Sequence, residues 1–343
     1  MIAVVADDLT GAAELGGIGL RSGLSTEISM EVPVMTKSGL LVIATDTRSM
    51  DQADAVAEME RITRQLVRLR PEWIYKKTDS VLRGHVVREL GAQLRVLGLR
   101  RCLLVPANPA LGRTIKDGRY YLNGQPVHLS SFSSDPEYPI TSSLVQDMLH
   151  DEDIQVLPLG TALPDGGIFV GEVQEKKDLY QWAHQMDADT FPAGASGFFT
   201  ALLGHRETVS SLAPDWKSPV LFVSGTTFGS SRKALELEEI VRLLREEGKA
   251  IVGTGEYSGE DPKIVKDRMA KLIHRVMAET FVGELIIEGG ATAYAILREA
   301  GLKTFIPIRE LAPGVVRMAA GELYITVKPG SYQWPEKNNI LPI

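Results

Sequence analysis

The sequence predicts an α/β protein of two α/β domains, each with a largely parallel sheet, and an interdomain cleft. Three observations predict it. The chain has 343 residues, more than a single core of roughly 100–200 residues usually holds. Short apolar runs rich in Val, Ile and Leu alternate with helical stretches, the order of βαβ units. The runs are continuous rather than alternating, as expected of strands covered on both faces.

IAVVA from Ile2 is the first strand, and a helix over residues 11–22 follows it. LLVIATD from Leu40 is the second strand; the helix over 49–69 has Asp51 as its cap candidate. WIYKKT from Trp73 and RCLLVPA from Arg101 flank a helix over 85–97. Residues 120–149 cluster Ser, Pro, Asp and Asn and read as a long excursion or lid with a short helix. The rhythm resumes with IQVLPLG near Ile154, GGIFVGEV near Gly167 and a helical stretch over 178–187. Residues 204–219 have little periodicity and read as a linker, which divides the chain into domains 1–210 and 218–343. PVLFVSGTTFGSSRKALE from Pro219 opens the second domain as strand, loop and helix. AIVGTG, a long helix over 261–280, ELIIEGGATAYAIL and LYITVKPG complete it.

Charge and composition narrow the function. A formal charge of −7 speaks against nucleic acid as a partner, so an anionic ligand needs a local basic patch. The single cysteine, Cys102, excludes an intramolecular disulfide and a cysteine zinc cluster; in RCLLVPAN it reads as a buried, inert thiol. The start MIAVVADDLTG lacks the basic and apolar regions of a signal peptide. No run approaches the ~20 apolar residues that span a bilayer, so no membrane partner is expected and the cytoplasm is the expected location. The six histidines show no HExxH spacing and there is no GxSxG elbow.

Three motifs stand at predicted strand ends, where open α/β sheets hold ligands. In VVADDLTGAAE (4–14), Asp7 and Asp8 end the first strand and Thr10-Gly11 open a helix whose N–H groups suit an anion. Neighbouring strand residues face opposite ways, so one acid can face the cleft and the other the scaffold. A simple helix cap at Asp8 or Thr10 explains one acid but not two. YKKTDSVLRGH (75–85) gathers Lys76, Lys77, Asp79 and Arg83 into the basic patch that an acid ligand requires. Asp79 beside them is a candidate general base for a hydroxyl; a solvated, salt-bridged turn is the alternative. VPANPALGRT (105–114) adds Asn108, whose amide suits a polyol, and Arg113; a structural proline turn explains it as well.

In the second half, VSGTTFGSSRKAL (223–235) can cradle phosphates with backbone N–H groups but matches neither the Walker pattern nor GxGxxG. IIEGGATA (286–293) and YITVKPGSYQWPE (324–336) repeat the Gly-rich strand end. Together they point to a nucleotide site, with Thr226 in the first loop and Lys328 and Gly330 in the third.

ADDLTGA (6–12), KKTDSVLRG (76–84), PANPALGRT (106–114) and the later SGT, GGATA and KPG loops resemble the four-carbon acid sugar kinases over most of the chain. The resemblance implies an N-terminal α/β domain for an acid sugar and a C-terminal α/β domain for ATP. The reaction it implies, with Mg²⁺, is phosphorylation of the terminal (4-) hydroxyl of a compound such as erythronate, threonate or 3-oxo-tetronate. Asp8, Lys76, Asp79, Arg83 and Asn108 would contact the substrate, joined from the motif reading by Asp7, Lys77 and Arg113. Ser224, Gly225, Gly289, Gly290 and Gly330 would lie near the nucleotide. Asp79 or Asp8 would accept the hydroxyl proton, and the metal ligands are unknown. The partners are the acid sugar and ATP, with room for a homodimer.

The chain is shorter than the family pattern and departs from it twice. Ala291 stands where an acid usually follows the paired glycines, and KPGSYQWPE replaces K-x-G-G-F-G. Ala291 keeps open a non-catalytic sugar-acid sensor. A haloacid-dehalogenase-like phosphatase needs D-x-D, which the adjacent Asp7 and Asp8 do not supply.

Overall fold

The computed structural model describes residues 1–135, 138–204, 215–225, 235–253, 261–330 and 334. Among them the strands are β1 (Ile2–Ala6), β2 (Thr26–Ser29), β3 (Leu40–Ala44), β4 (Ile74–Lys77), β5 (Arg101–Val105), β6 (Arg113–Lys116), β7 (Arg119–Leu122) and β8 (Gln125–Pro126). They continue with β9 (Gln155–Leu157), β10 (Gly167–Gly171), β11 (Thr190–Gly194), β12 (Val220–Ser224), β13 (Lys249–Gly253), β14 (Glu284–Glu288), β15 (Thr304–Ala312), β16 (Val315–Ala320) and β17 (Leu323–Lys328). The helices are α1 (Leu9–Arg21), α2 (Gln52–Arg68), α3 (Val86–Leu97), α4 (Val145–Leu149), α5 (Lys176–His184), α6 (Ser196–Leu203), α7 (Leu237–Glu246), α8 (Pro262–Glu279) and α9 (Gly290–Glu299).

The chain forms two compact units. The first comprises Met1–Asp7 and Val32–Arg206, the second Asp8–Glu31 and Glu207–Ile343. Residues 8–31 therefore leave the sequence-based domain 1–210 and join the C-terminal part. The reason lies in α1, which is buried from Leu9 to Gly19. Its glycines allow a close approach to the strands of the second unit. A Cβ at Gly16 would lie 2.5 Å from Ile28 Cδ1, and one at Gly17 3.0 Å from Val316 Cγ2. Arg21 closes the helix with an ion pair to Glu310, and β2 runs antiparallel beside β15.

In the first unit the strands lie in the order β3-β1-β4-β11-β5-β10-β9, all parallel. Ala6 pairs with Ala44 and Lys77, and Gly194 with Lys77 and Val105, so five strands end at one level. Tyr75 packs on Phe198 and Phe199 of α6, ring centroids 6.3 and 5.1 Å away, and donates its hydroxyl to Ala195 O. Trp182 of α5 is fully buried and donates its indole N–H to Glu172 O. Cys102 lies buried in β5, where burial pushes its thiol pKa up. The excursion is an antiparallel β6-β7-β8 sheet followed by short turns and α4.

The second unit has the order β13-β12-β14-β17-β16-β15-β2. The first four strands are parallel, and the remaining pairs are antiparallel. The expectation of a largely parallel sheet thus holds fully for the first unit and for half of the second. β15, β16 and β17 turn directly at Gly314 and Gly321, both at positive φ, so no crossover helix separates them. Among the described residues, no helix is long and apolar enough to cross a membrane.

Candidate functional site

The carboxyl ends of β1, β3 and β4 assemble a buried charge cluster in the first unit. Asp7 directly follows β1 and accepts from Arg48 Nε at 3.0 Å and Nη2 at 2.9 Å. Arg48 follows β3 by four residues and also lies 3.7 Å from Asp79. Asp79 stands two residues past β4. Arg83 holds it with a two-pronged fork, Nε to Oδ2 at 2.9 Å and Nη2 to Oδ1 at 2.8 Å. The backbone N–H groups of Val81 and Arg83 donate to the same carboxylate, each at 3.1 Å. Burial pushes the Asp79 pKa up, but the Arg83 and Arg48 charges and the Arg83 hydrogen bonds outweigh it. The carboxyl is held well below its ordinary range. Burial pulls the Arg83 pKa down, and the Asp79 charge more than compensates.

The excursion folds onto this cluster. Arg83 Nη1 donates to Asp135 Oδ2 at 2.7 Å. Arg83 and Arg113 both lie over the Phe132 ring, 5.3 and 5.7 Å from its centroid. Arg113 donates to the Ser80 hydroxyl, Tyr120 to Ser80 O, and Tyr138 to Arg48 O. Asn108, after β5, donates to Ser196 Oγ at 3.1 Å, and Gly197 lies against its amide oxygen. Lys77 Nζ donates to Thr78 O at 3.0 Å.

Lys76 is not brought to this group. It is fully buried and pairs with Glu89 of α3, Nζ to Oε2 at 2.6 Å, with Met59 of α2 beside it. Strand alternation is the reason: Lys76 and Lys77 face opposite sides of β4. Asp8 caps α1, accepting from Gly11 N at 2.7 Å and Thr10 Oγ1 at 2.9 Å.

In the second unit Ser224, Glu288 and Lys328 end β12, β14 and β17 in register. Ser224 Oγ donates to Glu288 at 2.9 Å, Lys328 Nζ lies 3.5 Å from it, and Trp334 donates its indole N–H to it. β12 leads to β13 on one side and has β14 on the other. The gap between β12 and β14 is therefore a switch point, where open sheets bind ligands. α9 begins there, and the N–H groups of its first turn have no acceptor within the helix. Gly225 and Gly289 spend their own N–H groups on Glu288 O and Lys328 O, at 3.0 and 2.9 Å. Their lack of a Cβ serves the backbone and close packing instead. Gly289 has φ +102, and a Cβ on Gly225 would lie 2.0 Å from Thr292 Oγ1. A Cβ on Gly290 would lie 3.0 Å from Thr10 Oγ1 and 3.2 Å from Asp8 Oδ2, so the ADDLTGA and GGATA motifs meet within this unit. Gly330 follows β17 in a turn; Thr226 lies outside the described residues.

Gly225→Ala is accordingly expected to displace the first turn of α9, at a cost of about 1–3 kcal/mol. Thr292→Gly in the same chain should restore the melting temperature, which a thermal melt of the three proteins would check.

Sequence reading missed Arg48, Asp135, Tyr138 and Glu288. Arg48 and Glu288 carry the same strand-end signal as the motifs it found. Asp135 and Tyr138 lie in an aperiodic segment and carry none.

The family described as sugar-binding N-terminal domain matches residues 2–202. A D-threonate kinase of Salmonella typhimurium is 27% identical, over 68% of this chain and 59% of that protein. A D-erythronate kinase of Heliobacterium modesticaldum is 27% identical, over 57% of this chain and 48% of that protein. The aligned part of the chain thus spans about half the length of these curated relatives. A Haemophilus influenzae protein of family DUF1537 has the same fold, with a TM-score of 0.71 at 19% identity, covering 96% of this chain and 97% of that one. The buried charge cluster at the strand ends, the glycine-lined switch point and the match over residues 2–202 converge on one assignment: the chain belongs to the four-carbon acid sugar kinase family.

Proposed function

We propose that the protein is an ATP-dependent kinase that phosphorylates the terminal (4-) hydroxyl of a four-carbon acid sugar such as threonate or erythronate. The observation that carries this reading is the cluster at the carboxyl edge of the first sheet. It sets four cations, Arg48, Arg83, Arg113 and Lys77, against three carboxylates, Asp7, Asp79 and Asp135. Arginine and lysine side chains gathered at a strand edge suit a carboxylate ligand. Relatives named for D-threonate and for D-erythronate support a four-carbon acid without choosing between them.

In this reading Arg48, Arg113 and Lys77 bind the carboxylate, and the Asn108 amide, steadied by Ser196, meets the hydroxyls. Asp79 accepts bonds from both prongs of Arg83 and from two backbone N–H groups. With its pKa depressed it is a poor base, so its role is to aim Arg83. Phosphoryl transfer then depends mainly on positioning and charge.

The second unit receives ATP at the β12–β14 switch point, phosphates against the first-turn N–H groups of α9. Lys328 is buried against Glu288, so it braces the loop rather than reaching the ligand. Among the described residues no three His, Cys, Asp or Glu side chains converge on a metal position. The residues fit Mg²⁺ carried by phosphates and water, as kinases usually hold it. Ala291 in the first turn of α9 favours a second reading, an acid-sugar sensor without turnover.

ADP release with MgATP against D- and L-threonate, D- and L-erythronate and the 3-oxo-tetronates tests the proposal. Turnover with a four-carbon acid, lost without Mg²⁺, supports it. Acid binding by calorimetry with no ADP release from any of them would replace it with the sensor.

A further inference from the structure

We propose that His85 is a positioning residue for acid binding: it holds the backbone turn from which Arg48 reaches the charge cluster. The inference deepens the kinase reading and rests on it, because in that reading Arg48 grips the carboxylate of the acid. Arg48 lies in the short 3₁₀ turn Thr47–Ser49. So short a turn has few hydrogen bonds of its own. Ser49 N donates to Asp46 O at 3.0 Å and Met50 N to Thr47 O at 3.2 Å. The carbonyls of Arg48 and Met50 instead take side-chain donors from distant parts of the chain. His85 Nε2 lies 2.8 Å from Met50 O, 35 residues away in sequence. A carbonyl only accepts, so Nε2 carries the proton. Tyr138 donates its hydroxyl to Arg48 O.

His85 stands at the N-cap of α3, yet its side chain makes no capping bond. The ring serves Met50 rather than its own helix. It also meets the Tyr138 ring edge-on, centroids 6.3 Å apart, so the two donors brace one another. Gly84, the residue before, takes the stem of Arg48. A Cβ there would lie 3.2 Å from Arg48 Cγ and 3.7 Å from Arg48 Cβ. Gly84 has φ +91, a conformation that favours glycine. The Gly84-His85 pair thus receives Arg48 at its side chain and steadies its turn at the backbone. What this seat controls is the aim of the guanidinium, which meets Asp7 at 2.9 Å and lies 3.7 Å from Asp79. A long side chain keeps its aim only when its backbone and stem are fixed. Losing the Met50 bond releases one of the ties that fix them. Misplacing a binding group by about an ångström costs up to roughly a hundredfold.

The test uses the full chain and whichever of threonate and erythronate it prefers. His85→Phe keeps a ring against Tyr138 but cannot donate. His85→Met cannot donate either and is nearer to histidine in volume, should the larger ring disturb the fold. His85→Gln keeps an N–H donor of similar reach. The readouts are KM and kcat for the acid, KM for MgATP, calorimetric Kd for the acid and the melting temperature. His85→Phe and His85→Met should raise KM and Kd for the acid at least about tenfold, with kcat and the KM for MgATP within about twofold of wild type. His85→Gln should restore most of the affinity. A merely structural role would lower the melting temperature and leave the acid KM of the folded protein where it was. Added to Arg48→Met, His85→Phe should change kcat/KM by less than about twofold, because the group it aims is gone. An unchanged acid KM and Kd in folded His85→Phe and His85→Met would overturn the inference and leave the kinase reading standing. So would a loss in the Arg48→Met background as large as in the wild type. A wild-type protein that binds no four-carbon acid would overturn both.

Discussion

Asp79→Asn is expected to lower kcat/KM for the acid by at least about a hundredfold and to destabilise the first unit by about 3 kcal/mol. Wild-type Asp79 compensates Arg83 directly and Arg48 at 3.7 Å. The amide keeps an acceptor but not the charge, so two guanidinium groups that repel one another lose their common counter-ion. Arg83 then no longer points where the ligand needs it. The pH dependence gives the effect a signature. A depressed carboxylate pKa stabilises the folded state above the unfolded-state value of about 3.9, and that contribution is lost as pH falls towards the folded-state value. The wild type should therefore exceed Asp79→Asn by a constant margin above about pH 5, and the margin should shrink below about pH 4. Urea unfolding at pH 7 and near pH 3.5 checks this. A margin unchanged between those conditions would mean that Asp79 contributes no net electrostatic stability.

The second large effect concerns Lys76, which motif reading places at the substrate and the structure places in the core. Removing either partner of the Lys76–Glu89 pair leaves a charge buried without compensation. Glu89→Leu and Lys76→Met should each cost about 3–5 kcal/mol. The double variant replaces the pair by apolar side chains of similar volume and should recover most of that loss. Its KM for the acid should match the wild type. A stable Lys76→Met protein that had lost acid binding would return Lys76 to the ligand and remove Glu89 from its bracing role.

The sequence revealed the parallel strands because each is a continuous apolar run between helices, as in IAVVA, LLVIA and ELIIE. It revealed the strand-end motifs because polar and charged residues interrupt those runs abruptly. What it did not reveal depends on distant partners. α1 looks like the ordinary continuation of β1, yet its glycines fit strands formed some 300 residues later in the chain, at Pro307 and Val316. β15 and β16 are hard to see in the sequence because antiparallel strands joined at APG and AAG turns lack the helix that marks a βαβ unit. Lys76 shows a different failure. Membership of a charged motif does not make a residue part of the site, and the alternation that separates Asp7 from Asp8 separates Lys76 from Lys77 as well. Arg48 was within reach of the strand-end rule, four residues beyond LLVIA. Asp135 was not, because nothing local in SFSSDPEYP distinguishes an acid that meets Arg83 from one that meets solvent.

In the proposed reaction the carboxylate is anchored in the first unit, so that the far end of the acid is the end that reacts. Locating the phosphate in the product by ³¹P–¹H correlation NMR, after incubation of the preferred acid with MgATP, tests it most directly. A single ester on the terminal (4-) hydroxyl is the expected product. Phosphate on the 2-hydroxyl, or an acyl phosphate on the carboxylate itself, would contradict the anchoring by Arg48, Arg113 and Lys77.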